Sequence, residues 1–148
     1  MNMMLGGPRS FQPEQEVPAR SRRVLIVEDQ PLIGMLLQDC LERAGADVLW
    51  VKTDRAAYDE LKSQGQAFDT LILDIDLGEG TTGFDIARYC RSVDPEVGII
   101  FSSGNPEEWL ESSGVSEALF VPKPCTEAGL LRAFEAVGPQ PTQNASVV

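Results

Sequence analysis

The 148-residue chain contains no histidine. That absence removes a serine–histidine or cysteine–histidine catalytic pair, histidine metal ligands and any phosphohistidine formed on this chain itself. Basic residues are scarce: 12 Lys and Arg stand against 23 Asp and Glu, a formal net charge of −11. Phosphate neutralisation needs clustered cations, so this balance argues against a nucleic-acid binder and describes a solvated acidic surface. Cysteine is limited to Cys40, Cys90 and Cys125, an odd number without metal-ligand spacing. Such residues suit a reducing cytosol and read as small core or near-core side chains. Long apolar runs are missing too, and none approaches the length of a membrane span. The opening "MNMMLGGPRSFQPEQEVPARSRR" lacks both an apolar core and a leading positive cluster, so it does not read as a secretory signal. A cytoplasmic location, with neither membrane nor nucleic acid as partner, is the expectation.

What is present is ordinary globular material, 43% apolar and 24% charged, and one domain's worth of it. Residues 1–21, rich in Gly, Pro, Gln and charge, read as a flexible leader, 22–138 as the folded unit, and 139–148 as a polar, frayed tail. Within the unit, apolar runs alternate with helical patterns. "VLIVE" (Val24–Glu28) reads as a strand buried on both faces. Pro31 suits the first turn of a helix in which Ile33, Leu36, Leu37, Cys40, Leu41 and Ala44 follow at helical spacing, with Gly45 as the stop. "ADVLWV" (Ala46–Val51) is a second strand, and Thr53 caps a helix with Ala56, Ala57 and Leu61. "TLILD" (Thr70–Asp74) is the third strand, followed by a Gly- and Thr-rich loop and a helix from about Gly83 to Ser92. "VGIIFSS" (Val97–Ser103), a short helix near Pro106–Ser112 and "ALFV" (Ala118–Val121) come next. Thr126 caps a last helix with Leu130, Leu131, Phe134 and Val137 on one face, ended by Gly138-Pro139. Five strands alternating with five helices imply right-handed crossovers and a parallel sheet covered on both sides.

In such sheets ligands sit at the carboxyl ends of the strands. The residues collected there are Glu28 and Asp29 after strand one, Asp74 after strand three, Ser102 and Ser103 after strand four, and Lys123 just past strand five. Three carboxylates converging on one pocket repel one another, which raises a pKa or calls for a cation. A hard divalent ion with oxygen ligands, Mg²⁺ above all, meets that need. A hydroxyl and an ammonium beside it suit a bound anion, phosphate being the obvious one.

The segments "VLIVEDQ", "LILDIDL", "IIFSSGN" and "FVPKPC" together resemble a bacterial response-regulator receiver domain, over Arg22 to about Val137. The resemblance implies a flavodoxin-like (βα)5 three-layer sandwich with sheet order 2-1-3-4-5. It also implies roles. Asp74 would accept a phosphoryl group; Glu28, Asp29, Asp74 and the backbone carbonyl of Asp76 would hold Mg²⁺, with Mn²⁺ as an alternative. Ser103 would be the switch hydroxyl and Phe120 the switch aromatic, in place of the commoner Tyr. Lys123 would bind phosphoryl oxygens ahead of a cis peptide to Pro124, and Ser102 would point to the other face of its strand. The side chains of Asp76 and Asn105 would set how fast water removes the group. A sensor histidine kinase or a histidine phosphotransfer protein would be the donor. The downstream protein would bind the face of helix four, strand five and helix five, where Trp109 is an exposed-aromatic candidate. Self-phosphorylation from phosphohistidine and slow autodephosphorylation, without turnover of a separate substrate, are expected.

Many receivers place a Pro where Gly78 stands, and the loop to Gly83 is about one residue longer here. "DIDLGEGTTGFDIA" is similar to receivers paired with sensor kinases of the HWE/HisKA2 type. Neither end carries a recognisable output module, which reads as a stand-alone receiver acting as messenger, relay or phosphate sink. A rival resemblance is to haloacid-dehalogenase-type phosphohydrolases, through the two aspartates of Asp74-Ile75-Asp76. Chain order opposes it, because Glu28 and Asp29 precede the nucleophile and Gly78 stands where Thr or Val is usual. A phosphorylation-independent interaction module is the third reading.

Overall fold

The structure, a computed structural model, describes residues 21–63, 67–78, 82–104 and 114–138. Its elements in order are β1 (Arg23–Val27), α1 (Pro31–Arg43), β2 (Asp47–Val51), α2 (Asp54–Lys62), β3 (Thr70–Asp74), α3 (Gly83–Val93), β4 (Gly98–Ser103), β5 (Leu119–Pro122) and α4 (Glu127–Ala136). The strands form one sheet in the order β2-β1-β3-β4-β5, with every neighbouring pair parallel. The short helix expected near Pro106–Ser112, with Trp109 on it, lies outside the described residues.

Side chains alternate across a strand, so each buried run feeds two cores at once. Leu25, Val27, Leu71, Leu73, Ile99 and Phe101 pack on one face against Ala57 of α2 and Ile86, Ala87 and Cys90 of α3. Val24, Ile26, Ile72, Ile100 and Val121 pack on the other against Leu37 and Leu41 of α1 and Leu130 and Phe134 of α4. Cutting a fully buried Leu or Ile here back to Ala costs about 2–5 kcal/mol. Helix starts are set by side-chain caps. Thr53 Oγ1 accepts from Ala56 N at 3.1 Å and Thr126 Oγ1 from Gly129 N at 3.0 Å. Thr82 and Asp85 form a reciprocal capping box at the start of α3.

Several expectations change. β1 ends at Val27, so Glu28 is the first residue beyond the strand rather than its last, and β5 starts and ends one residue later than its apolar run. Leu36 faces solvent at 69% exposure although it fits the apolar periodicity of α1. Leu37, Cys40 and Leu41 already fill the inward stripe, and Leu36, one residue from Leu37, is rotated about 100° away from it. None of the described helices is long and apolar enough to cross a membrane.

Candidate functional site at the carboxyl ends of the strands

β1 and β3 are sheet neighbours from which the chain departs in opposite directions, and their carboxyl ends open a shared crevice. Glu28 and Asp74 line it and are nearly inaccessible, at 1% and 4% exposure, while Asp29 is exposed. One oxygen from each of these three carboxylates lies within 4.8 Å of the others. α3 closes the floor. A side chain at Gly83 would collide with the backbone carbonyl of Asp74, so glycine lets the helix start directly beneath that residue.

Lys123 enters from the loop after β5. Its Nζ lies 3.1 Å from Asp74 Oδ2 and 3.1 Å from Glu28 Oε1, and it donates to Glu28 Oε2 at 3.3 Å. Glu28 Oε2 also accepts from Gln30 N at 3.1 Å, and Asp74 Oδ1 accepts from Asp76 N at 3.1 Å. Glu28 Oε1 has the ammonium nearby but no hydrogen-bond geometry to it, which leaves a buried carboxylate oxygen without a donor. One ammonium therefore serves two buried carboxylates.

The electrostatics follow from that count. Burial and the neighbouring Glu28 carboxylate push Asp74 up to about 7, while the hydrogen bond and charge of Lys123 pull the other way. Lys123 is subject to burial that works against its charge, but its bonds to Glu28 and Asp74 outweigh this and hold it above its ordinary value. A hard cation fits the residues present: three carboxylates in reach of one point, one of them carrying a buried oxygen that no donor satisfies.

The remaining predicted residues spread over two faces. Asp76 stands at the exposed rim, with its N–H on Asp74. Ser103 is buried at the end of β4, and its carbonyl accepts from Lys123 N at 3.0 Å. It alternates with Ser102 and so shares the face of Phe101, the in-register partner of Phe120. The Phe101 and Phe120 rings lie 5.2 Å apart, with Phe120 half-buried. Ser102 does turn to the other face, but that face is Asp74's own: the two are paired in register, and Ser102 Oγ is buried without a partner. The Lys123–Pro124 peptide is cis. Asn105 lies outside the described residues.

Sequence reasoning missed two features. Trp50 was read only as part of a strand, yet its indole Nε1 donates to the Glu28 carbonyl at 2.9 Å. The exposed stripe Leu32, Met35 and Leu36 on α1 was also missed, because apolar periodicity alone does not say which face a covered sheet will take.

An open, doubly wound parallel sheet with a crevice at its carboxyl end defines the class of α/β proteins that bind their ligands at that switch point. The chain belongs to the response regulator receiver domain family, whose model matches residues 24–135. It is similar to the phyllosphere-induced regulator PhyR of Methylorubrum extorquens, at 30% identity over 107 residues, 72% of this chain and 40% of that protein. It is also similar to the chemotaxis protein CheY of Thermotoga maritima, at 30% identity over 122 residues, 78% of this chain and 97% of that one. Among solved structures, a response regulator receiver protein from Sinorhizobium medicae superposes with a TM-score of 0.74 at 29% identity, covering 80% of this chain and 94% of that one. The chain thus spans well under half the length of PhyR and nearly all of CheY. Membership in the receiver family decides against the haloacid-dehalogenase-type alternative.

Proposed function

We propose that this receiver domain takes up one phosphoryl group on Asp74 from a phosphohistidine on a separate protein, a sensor histidine kinase or a histidine phosphotransfer protein. The observation that carries the reading is the convergence of Glu28, Asp29 and Asp74, two of them paired with Lys123, with one buried carboxylate oxygen left unsatisfied. Mg²⁺, or Mn²⁺ in its place, held by Glu28, Asp29, Asp74 and the Asp76 carbonyl, supplies positive charge that offsets the repulsion between carboxylate and phosphoryl group.

The chain's own residues do the rest. Asp74, ionised, forms the new O–P bond while the donor's P–N bond breaks and the electron pair stays on the donor imidazole. Lys123 stays charged and draws the phosphoryl oxygens to within reach of Asp74 Oδ2, so catalysis is positioning plus electrostatics. Ser103 then moves to hydrogen-bond the acquired oxygen. Because it shares a sheet face with Phe101 and Phe120, its movement opens space into which Phe120 rotates. Taking such a switch from 1:99 to 99:1 needs about 5.5 kcal/mol of differential stabilisation, a good part of which charge-assisted bonds to a phosphoryl group supply. The repacked face carrying β5 and α4 is the one a downstream protein reads. Water attack on the acyl phosphate, tuned by Asp76 and Asn105, resets the domain.

The donor needs a landing surface beside the crevice. Leu32, Met35 and Leu36 are 76%, 58% and 69% exposed on the first turns of α1, at i, i+3 and i+4, directly after Asp29. The Asp74–Ala87 segment nominates a kinase of the HWE/HisKA2 type as the one that seats there.

The test is incubation with Mg²⁺ and a small acyl- or amidophosphate, followed by intact mass measurement. A single phosphoryl adduct, labile to base and missing in Asp74→Ala, is the expected result. No adduct on a well-folded sample, or an equal adduct on the variant, overturns the reading.

A further inference from the structure

We infer that Trp50 is a positioning residue for the acidic pair, its indole N–H holding the peptide plane that joins Glu28 to Asp29. This rests on the reading of that pair as part of a Mg²⁺ site.

Glu28 sits one residue beyond β1, where regular sheet pairing stops. The last register pair with β2 is Val27↔Val51. Glu28 N still donates to Val51 O at 3.1 Å, but no further β2 backbone is paired with its carbonyl. Trp50 Nε1 takes that place at 2.9 Å. A trans peptide is rigid and planar, so fixing the Glu28 carbonyl also fixes the N–H and Cα of Asp29 on the other side of the same plane. The pair is therefore steered from both ends. Gln30 N and Lys123 hold the Glu28 carboxylate, and Trp50 sets the direction in which Asp29 leaves. Asp29 is exposed, so its approach to Glu28 and Asp74 depends on where its backbone points.

The route from an edge strand to that carbonyl is opened by one residue on the neighbouring helix. A Cβ at Gly34 of α1 would fall inside the Trp50 ring, so the indole occupies the space that any other residue would fill. Lys52 Nζ lies 5.4 Å from the ring centroid and adds a cation–π contact. Apolar packing alone would be met by any large side chain at position 50. The N–H aimed at the Glu28 carbonyl is what a phenyl ring cannot supply.

Trp50→Phe keeps the ring and deletes the donor. Mg²⁺ titration by calorimetry is expected to give a dissociation constant raised roughly 3- to 10-fold, the worth of one hydrogen bond. Phosphoryl uptake at saturating Mg²⁺ is expected to stay within about twofold of wild type, with the loss confined to the Mg²⁺ concentration needed. A lowered melting temperature with unchanged Mg²⁺ affinity would make Trp50 a packing residue and overturn the inference. Should the variant not fold, the wild-type chain decides. The Trp50 indole N–H resonance, identified as the one retained in Trp109→Phe, is expected to shift in step with Mg²⁺ saturation, and a stationary resonance overturns the inference. A wild-type protein that binds no Mg²⁺ fails at an earlier step and sinks the parent reading along with this one.

Discussion

At the amino end of the sheet, polar side chains staple neighbouring segments. Arg23 N donates to Asp69 Oδ2 at 2.7 Å, Arg22 Nη2 to Thr70 Oγ1 at 2.8 Å, and Arg91 to the carbonyls of Val97 and Ser116 at 3.0 and 2.7 Å. A cavity of about 730 Å³ opens there, bordered by Asp69, Arg91, Glu117 and Val137 among others. At the carboxyl end, two buried carboxylates share one ammonium, and one oxygen has no donor. Acidic and basic side chains meet at this end, although Arg22 Nε is buried there without a hydrogen-bond partner. Like charges are buried together at the other. Like charges buried together, more than single unpartnered atoms, are the physical mark of a candidate functional site, since holding them out of water is costly.

Lys123→Met gives the largest expected effect on this contrast. It leaves Glu28 and Asp74 buried without a cation and costs about 3–5 kcal/mol in urea denaturation at neutral pH without metal, with much of the loss recovered on adding Mg²⁺. A cost under about 1 kcal/mol would make the Lys123 contacts no stronger than an ordinary surface ion pair and would sink the contrast.

The pH dependence comes next. Asp74 is raised from its ordinary 3.8 to about 7, so between those values the folded chain holds a proton that the unfolded chain has lost. Stability from this group is fully present at the acid side of the window and falls as pH rises through it, by a few kcal/mol at most. In EDTA, the midpoint of urea unfolding is expected to drop more from pH 5 to pH 8 in wild type than in Asp74→Asn. Saturating Mg²⁺ should abolish the difference, and equal slopes in EDTA would remove the frustration from Asp74.

Ser103→Ala and Ser102→Ala separate two adjacent hydroxyls. Losing Ser103 is expected to weaken the phosphorylation-dependent change at Phe120 about tenfold, read by the binding of a downstream partner or by ring resonances. Ser102→Ala removes a buried hydroxyl that has no partner, and is expected to leave uptake unchanged while raising stability by up to about 1 kcal/mol. The smallest change belongs to the amino end. Asp69→Asn should cost about 1 kcal/mol through its bond to Arg23 N and leave Mg²⁺ affinity untouched.

Much of this was legible in the residues. "VLIV" and "LIL" announce strands buried on both sides, Thr53 and Thr126 announce helix starts, and the carboxyl-end rule brings Glu28, Asp29, Asp74 and Lys123 to one rim. Where the pattern stops short, the cause is geometric. Leu36 is apolar and periodic, but the sheet can cover only one stripe of α1. Ser102 and Ser103 were separable by strand alternation, yet which of them flanks Asp74 depends on the β3–β4 register, and no single strand encodes that.

The sequence by itself determined the alternation of elements, the sheet they make and the chemical types gathered at its carboxyl edge, because strand period, helix period and capping act over a few residues. Only the tertiary structure decided how far Asp74 is desolvated, that Lys123 divides its charge between two carboxylates, and that Trp50 reaches across α1 at Gly34 to the Glu28 carbonyl. Those are properties of distances between segments far apart in the chain, and electrostatic strength and hydrogen-bond geometry both depend on such distances.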